Sequence, residues 1–393
     1  MSHNQVTPGD NASDRPLWER SGSELKHLAE LRPEELYEAA EQLCRRVSGE
    51  GTGGASVARA VGRIAEALAD TRSRDCATFA VDIVGRLLPP EATDRGEADR
   101  LPRSVAAKLV KAQHLRDLEP LFGELPDGMQ GPAVELRACL LGELALIGSG
   151  AGRRTLDAYA ERLRELGHPL ARLPRTRLDI EHRFTVRVRG LGPIKTSKQL
   201  RSRFPEVPST DSGTVAGRGA GDTRDDERAK AAARPFTAGG WACEPEARFF
   251  TLPSPLGPDD FGISFIKELP LQCLAGEGRR GSALACATTP DDVLNELFSA
   301  AYNGGVNGQG QGGAYARLHA WDSLYALMGL PADVPFLEAV RGAADHRWLR
   351  FMAFTDWFHH DTSDVAFAVL DPTRTRVTVL AATDTDVDCD VLG

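Results

Sequence analysis

No stretch of the chain approaches the roughly 20 consecutive apolar residues needed to cross a bilayer, so a membrane-spanning helix is not expected. The opening segment, Met1 to Pro16, is polar and lacks the basic start and apolar core of a secretory signal. There are 7 cysteines, an odd number, and none stands in a C-x-x-C pair. That argues against a zinc ribbon and against a disulfide framework; reduced thiols in a cytoplasm are the expectation. Aromatic residues make up only 6% of the chain, and none interleaves with the basic residues as a single-strand binder would need. A G-x-S-x-G nucleophile elbow is missing, and so is the lysine of a phosphate-binding P-loop. No cofactor and no metal site are expected.

What is present fits an ordinary globular protein: 393 residues, 41% hydrophobic and 26% charged, long enough for two domains. The net charge of −9 favours solubility and disfavours wholesale binding to nucleic acid or anionic membranes. The expected class is α+β. Residues 1–22 read as a disordered tail, 23–168 as a helical array, 169–204 as a basic connector with a strand, 205–240 as a disordered insert and 241–393 as an α+β module.

The helical array is read from periodicity. Leu36, Ala40, Leu43, Cys44 and Val47 recur at helical spacing, as do Val57, Val61, Ile64 and Leu68, then Cys76, Phe79, Ile83, Val84 and Leu87. Val105, Leu109 and Ala112 follow, with Leu140, Leu144 and Ile147, and finally Leu156, Tyr159, Leu163 and Leu166. Pro33 and Pro132 suit helix starts; Gly49, Gly148 and Gly167 suit positions just past helix ends. Helices begin about every 20–30 residues without a repeated signature, so a solenoid and an irregular bundle both fit.

His182 to Arg189 alternates apolar and basic residues, the period of a half-buried strand. Arg183, Arg187 and Arg189 on one face make an anion-binding or nucleic-acid surface conceivable; a solvated strand face is the plainer account. The acidic residues of the surrounding basic stretch, Arg172 to Arg203, are Asp179 and Glu181. Residues 206–234, rich in Gly, Ser, Asp and Ala, hold too little apolar surface to order themselves. A short strand at Ala247–Leu252 is a candidate to pair with 182–189.

The last third carries the distinctive residues. Thr289-Pro290-Asp291-Asp292 is a helix opening, with a capping hydroxyl and acids at the positive end. A glycine-rich loop, Gly304 to Gly313, separates this helix from a second with Leu318, Trp321, Leu324, Tyr325 and Met328 on one face. A short helix near 335–344 and strands at 347–355, 364–370 and 376–382 complete the module, the last two as a hairpin turned by Asp371-Pro-Thr-Arg-Thr375. The string SAAYNGGVNGQGQGGAYARLHAWDSLYALMG and the later VTVLAATDTD resemble an uncharacterised family of high-GC bacteria catalogued only as a domain of unknown function. The resemblance covers mainly 290–386; it implies a shared fold and carries no assigned chemistry.

Two clusters invite a functional reading. Gly304, Gly305, Gly312 and Gly313, with Tyr315, Arg317 and Trp321 beyond them, would wall a ligand pocket, although a helix rather than a strand precedes the loop, against the dinucleotide pattern. Asp356 and His359, in the run Asp356-Trp-Phe-His-His-Asp361, would add polar chemistry if the two loops converge. The alternating aspartates 384, 386, 388 and 390 lack the glycine and glutamate of a calcium loop and read as a solvated acidic tail. The leading expectation is a non-enzymatic interaction or regulatory protein whose partner is another protein. An enzyme or nucleotide-responsive module at residues 304–313 is the alternative, and anion or nucleic-acid binding through 182–189 a third.

Overall fold

The computed structural model describes residues 20–47, 54–87, 95–123, 131–184, 198, 202, 219–257, 259–275, 283–306, 308–359 and 363–385. The chain divides into two compact units, Met1–Arg175 and Thr176–Gly393.

The first unit is helical: α1 (Gly22–Leu31), α2 (Pro33–Val47), α3 (Gly54–Ala69), α4 (Arg74–Asp82), α5 (Arg95–Ala112), the single turn α6 (Leu115–Leu118), α7 (Pro132–Leu146) and α8 (Arg154–Glu165). Ser21 and Glu24 form a reciprocal capping box at the start of α1, in which the Glu24 amide donates to Ser21 Oγ and the Ser21 amide to the Glu24 carboxylate. Gly148 and Gly167 take left-handed conformations just past α7 and α8, where a side chain would strain the backbone. The expected stripes point inward: Leu36, Ala40, Val61, Ile64, Leu68, Val105, Leu109, Leu140, Leu144, Leu156 and Leu163 are buried. Ile147 and Leu166, at the frayed ends of their stripes, are exposed. Helix α7 packs against α5 and α8 and buries residues on every side, so it carries the centre of this core.

The second unit is built on an antiparallel six-stranded sheet ordered β1-β2-β6-β5-β4-β3. Its strands are β1 (Gly221–Asp222), β2 (Glu246–Thr251), β3 (Leu284–Ala287), β4 (Arg347–Met352), β5 (Val365–Leu370) and β6 (Arg376–Ala382). Both faces are covered, which is why β5 and β6 read as near-continuous apolar runs. Phe250, Leu349, Phe351, Ala366, Ala368, Val377 and Val379 pack with Leu256, Phe265, Ile266, Leu269 and Leu274 from the loops and the short helix α10 (Ile263–Ile266). On the other face α9 (Asp226–Ala238) crosses β2: Arg228 lies 4.1 Å over the Phe249 ring and donates to Thr378 Oγ1 at 2.8 Å. Helices α11 (Pro290–Asn303) and α12 (Gly312–Met328) pack on α9 and on each other, and α13 (Phe336–Asp345) leads into β4. Thr289 caps α11 as expected, and Gly329 ends α12 in the left-handed region.

Three expectations change. Helix α9 occupies the second half of the segment 205–240, which composition alone assigned to a disordered insert. Asp225 caps it by accepting from the Arg228 amide, and Ala232, Ala233 and Phe236 bury its inner face, so a few small residues suffice once a neighbouring surface exists. Strand β2 pairs with β6 and β1, and of the expected strand 182–189 only residues 182–184 are described. His182 and Arg183 form a turn after a short 3-10 segment, Asp179–Glu181, while Arg187 and Arg189 lie outside the described residues. The basic connector also divides: Arg175 closes the first unit and residues from Thr176 belong to the second.

Candidate functional site around Asp384

The glycine loop begins where α11 ends. Gly304 has φ +75°, and a Cβ there would lie 2.9 Å from the Gly239 carbonyl oxygen. A Cβ on Gly305 would run into the Asp384 carboxylate, and one on Gly308 into the carbonyls of Gly239 and Gly240. The glycines are therefore needed because two turns, 239–240 and 304–310, press together with no room for side chains.

Several amides of this loop are used within the chain. Gly304 N donates to Ala300 O, Gly305 N to Gly239 O at 3.0 Å, Gly308 N to Gly305 O and Gln311 N to Ala301 O. Gln311 Nε2 adds a bond to Ala238 O. Val306 N donates to one carboxylate oxygen of Asp384, and Ala242 N donates to the other at 2.7 Å. Asp384 is 1% exposed. An anion thus does sit against an amide of the glycine loop, that of Val306, and it is the protein's own. Asp384, expected in a solvated acidic tail, is interior; Asp386, Asp388 and Asp390 lie outside the described residues.

The preceding residue ties in the second loop. Thr383 accepts from the His359 amide at 3.5 Å and donates from Oγ1 to Asp364 at 2.6 Å. His359 Nε2 lies 3.6 Å from Cys243 Sγ. The glycine loop, the 239–243 turn and the loop carrying His359 thus meet on residues 383–384 at the exit of β6. Asp356 is exposed on the same loop, Phe358 is buried and Trp357 half-buried.

Arg317 and Trp321 stand elsewhere. On α12 they enclose Glu181: Arg317 Nε and Nη2 donate to its two carboxylate oxygens at 2.7 and 2.8 Å, and Trp321 Nε1 donates at 2.7 Å. Arg317 Nη2 also reaches Thr176 O at 2.9 Å. Both Arg317 and Glu181 are 0% exposed, so this pair anchors segment 176–184 in the interior. Such a charge is tolerated there because it is bidentately paired and hydrogen-bonded. Tyr315 is buried, facing His319 across 5.8 Å between ring centroids, and Gly312 and Gly313 open the helix. Arg183 pairs with Asp291 and Asp292 at the start of α11; Phe184 stacks on Phe298 at 4.2 Å.

Thiol chemistry is subdued. Burial pushes up the thiols of Cys44, Cys76, Cys139, Cys273 and Cys286, with nearby Glu246 adding to the effect at Cys273; these five are free. Cys243 is disulfide-bonded, a departure from the expectation of reduced thiols throughout; Cys389 lies outside the described residues. Glu246 spans the Gln272 and Cys273 amides, each at 2.8 Å. Among the described residues no group of three or more His, Cys, Asp or Glu is placed to hold a metal ion.

Glu181, Thr383 and Asp384, missed as site residues, each had a visible signal. Glu181 is an acid in a basic run, and Thr383-Asp384 belongs to the ATDTD string quoted with the glycine loop. What was not legible is that Asp384 reaches back to the loop.

These features define a two-unit α+β protein with a helical first unit and a helix-covered antiparallel sheet. The chain belongs to the family of unknown function DUF6183, whose model matches residues 23–386 and so takes in both units. No curated protein and no solved structure matches the chain. No helix among the described residues is long and apolar enough to cross a membrane.

Proposed function

We propose that this chain is a non-enzymatic protein-interaction or regulatory protein, with the helical unit as the surface offered to another protein. The observation that carries the reading is the fate of its chemically capable groups. Arg317, Trp321 and Glu181 are spent on one another, Asp384 on two main-chain amides, and burial pushes up the five free thiols, against thiolate formation. A catalytic acid, base or nucleophile has to come within hydrogen-bond reach of its substrate, and Arg317, Trp321, Glu181 and Asp384 are all at most 1% exposed. Arrays of packed helices supply extended surfaces suited to partner proteins. The five free thiols accord with a cytoplasmic site of action; the disulfide at Cys243 counts against it.

The test pairs two measurements on the full chain. Cross-linking in cells should give a reproducible partner whose cross-links fall on residues 22–173, and metabolite panels should show no turnover. Turnover that disappears in Asp356→Asn or His359→Ala would overturn the proposal.

A second reading, a ligand-responsive module at the glycine loop, draws on the meeting of that loop with the His359 loop at residues 383–384. A thermal-shift screen against nucleotides, divalent metals and short nucleic acids separates the two. A ligand at 100 times its Kd adds about 2.7 kcal/mol, and a shift abolished by His359→Ala would favour this reading.

A further inference from the structure

Thr383 and Asp384 are consecutive, both nearly excluded from solvent at 2% and 1% exposure, and each engages a different loop. Asp384 takes the amides of Ala242 and Val306, one on each oxygen. Thr383 takes the amide of His359 and donates to Asp364, itself buried just before β5. Two residues at the exit of one central strand therefore supply acceptors to three separate turns. Their own position is set by β6, which is hydrogen-bonded to β2 and β5 on its two sides.

We infer that Thr383-Asp384 is a bracket that makes the glycine loop, the 239–243 turn and the 356–359 loop open and close as one unit. The physical reason is that the glycine loop has few side chains to hold it: residues 304, 305, 308 and 310 have none, and Gln311 binds Ala238 O at the loop's far end. The 239–240 turn that supports it by contact is equally bare. A buried carboxylate accepting two amides is worth more than a neutral bond, and withdrawing it leaves two donors unpaired. Because Thr383 shares the backbone of Asp384, a displacement that releases the amides of Ala242 and Val306 also pulls the Thr383 hydroxyl from the His359 amide. Asp384 acts here as a positioning residue.

The experiment is hydrogen exchange on the full wild-type chain under native conditions. The amides of Ala242, Val306 and His359 should show one common opening, with protection agreeing within about threefold. Asp384→Asn keeps only one acceptor oxygen and should accelerate exchange at all three by about tenfold. Thr383→Val should do the same, and Thr383→Ser, which keeps the hydroxyl, should restore protection. Unrelated protection of the three amides in the wild type, or acceleration at Ala242 and Val306 with His359 unmoved, overturns the bracket. The wild-type comparison and the Val/Ser pair decide the matter even if Asp384→Asn does not fold.

Discussion

The two units of the molecule solve the problem of burial differently. Among the described residues of the helical unit the buried polar and charged ones are Thr71, Gln113 and Glu143; in the α+β unit they include Glu181, Glu246, Arg317, Asp364, Asp371, Thr383 and Asp384. Many ion pairs of the first unit, such as Lys26 with Asp70 at 2.7 Å and Arg32 with Glu35, are at or near the surface, while Arg103 and His168 meet Glu135 in a half-buried group. Its interior is mostly aliphatic side chains and alanine, with Phe122, Tyr159, Cys76 and Cys139 among them. The second unit draws charged groups inside and uses them to hold loops that have few apolar side chains of their own. Where helices supply the backbone hydrogen bonds, apolar packing suffices. Where turns and crossovers leave amides open, acceptors must come from side chains.

This difference can be broken experimentally. The largest effect is expected at the Arg317–Glu181 pair: Glu181→Ala takes away the carboxylate that faces a buried guanidinium and an indole N–H, at a cost of about 3–5 kcal/mol, read as the loss in urea midpoint. In the helical unit a cavity takes the place of a lost charge. Leu140→Ala, at a fully buried position of α7, should cost about 2–5 kcal/mol, and chemical denaturation should show no dependence of that loss on salt. Glu246→Ala unpairs two amides at once and should cost about 1–3 kcal/mol, with exchange at Gln272 and Cys273 accelerated.

The fourth test concerns pH. Burial works against the Asp371 carboxylate, but the Thr373 hydroxyl, the amides of Arg376 and Thr375 and the Arg376 charge outweigh it, holding it below its ordinary 3.8. A group whose folded pKa is depressed stabilises the fold above its unfolded pKa and loses that contribution as pH falls through the folded one. Acid titration of the wild type should thus lose stability below about pH 3.8 that Asp371→Asn never had. The smallest effect is expected at the surface: Lys26→Ala should scarcely move the urea midpoint, and less still in high salt. If it rivalled Glu181→Ala, the contrast between the units would fail.

Much of the fold was legible in the residues. The helical stripes, the cap at Thr289, the glycine stops and the β5–β6 hairpin follow from local rules, because periodicity and turn chemistry act between residues a few positions apart. Helix α9 was hidden because its inner face is mostly alanine, too little to order an isolated segment. It is made stable by α11, α12 and β2 across long sequence separations. Strand β3, Leu284–Ala287, is short and gains its identity from pairing with β4. At the candidate site the glycine loop and His359 were visible as unusual composition. The use of the glycines was not, since a glycine that cradles a ligand and one that admits a neighbouring backbone look alike in sequence.

By itself, the sequence determined that the chain is α+β, that its first part is helical and its end strand-rich, and where most helices start and stop. Tertiary structure alone decided which charges go inside and what they hold. Glu181 and Arg317 are 136 positions apart, and Asp384 stands 78 positions from Val306 and 142 from Ala242. Helical and strand patterns arise from the covalent repeat of the backbone and so are written locally. A buried carboxylate finds its partners only when distant segments have folded onto one another, and no local pattern encodes that meeting.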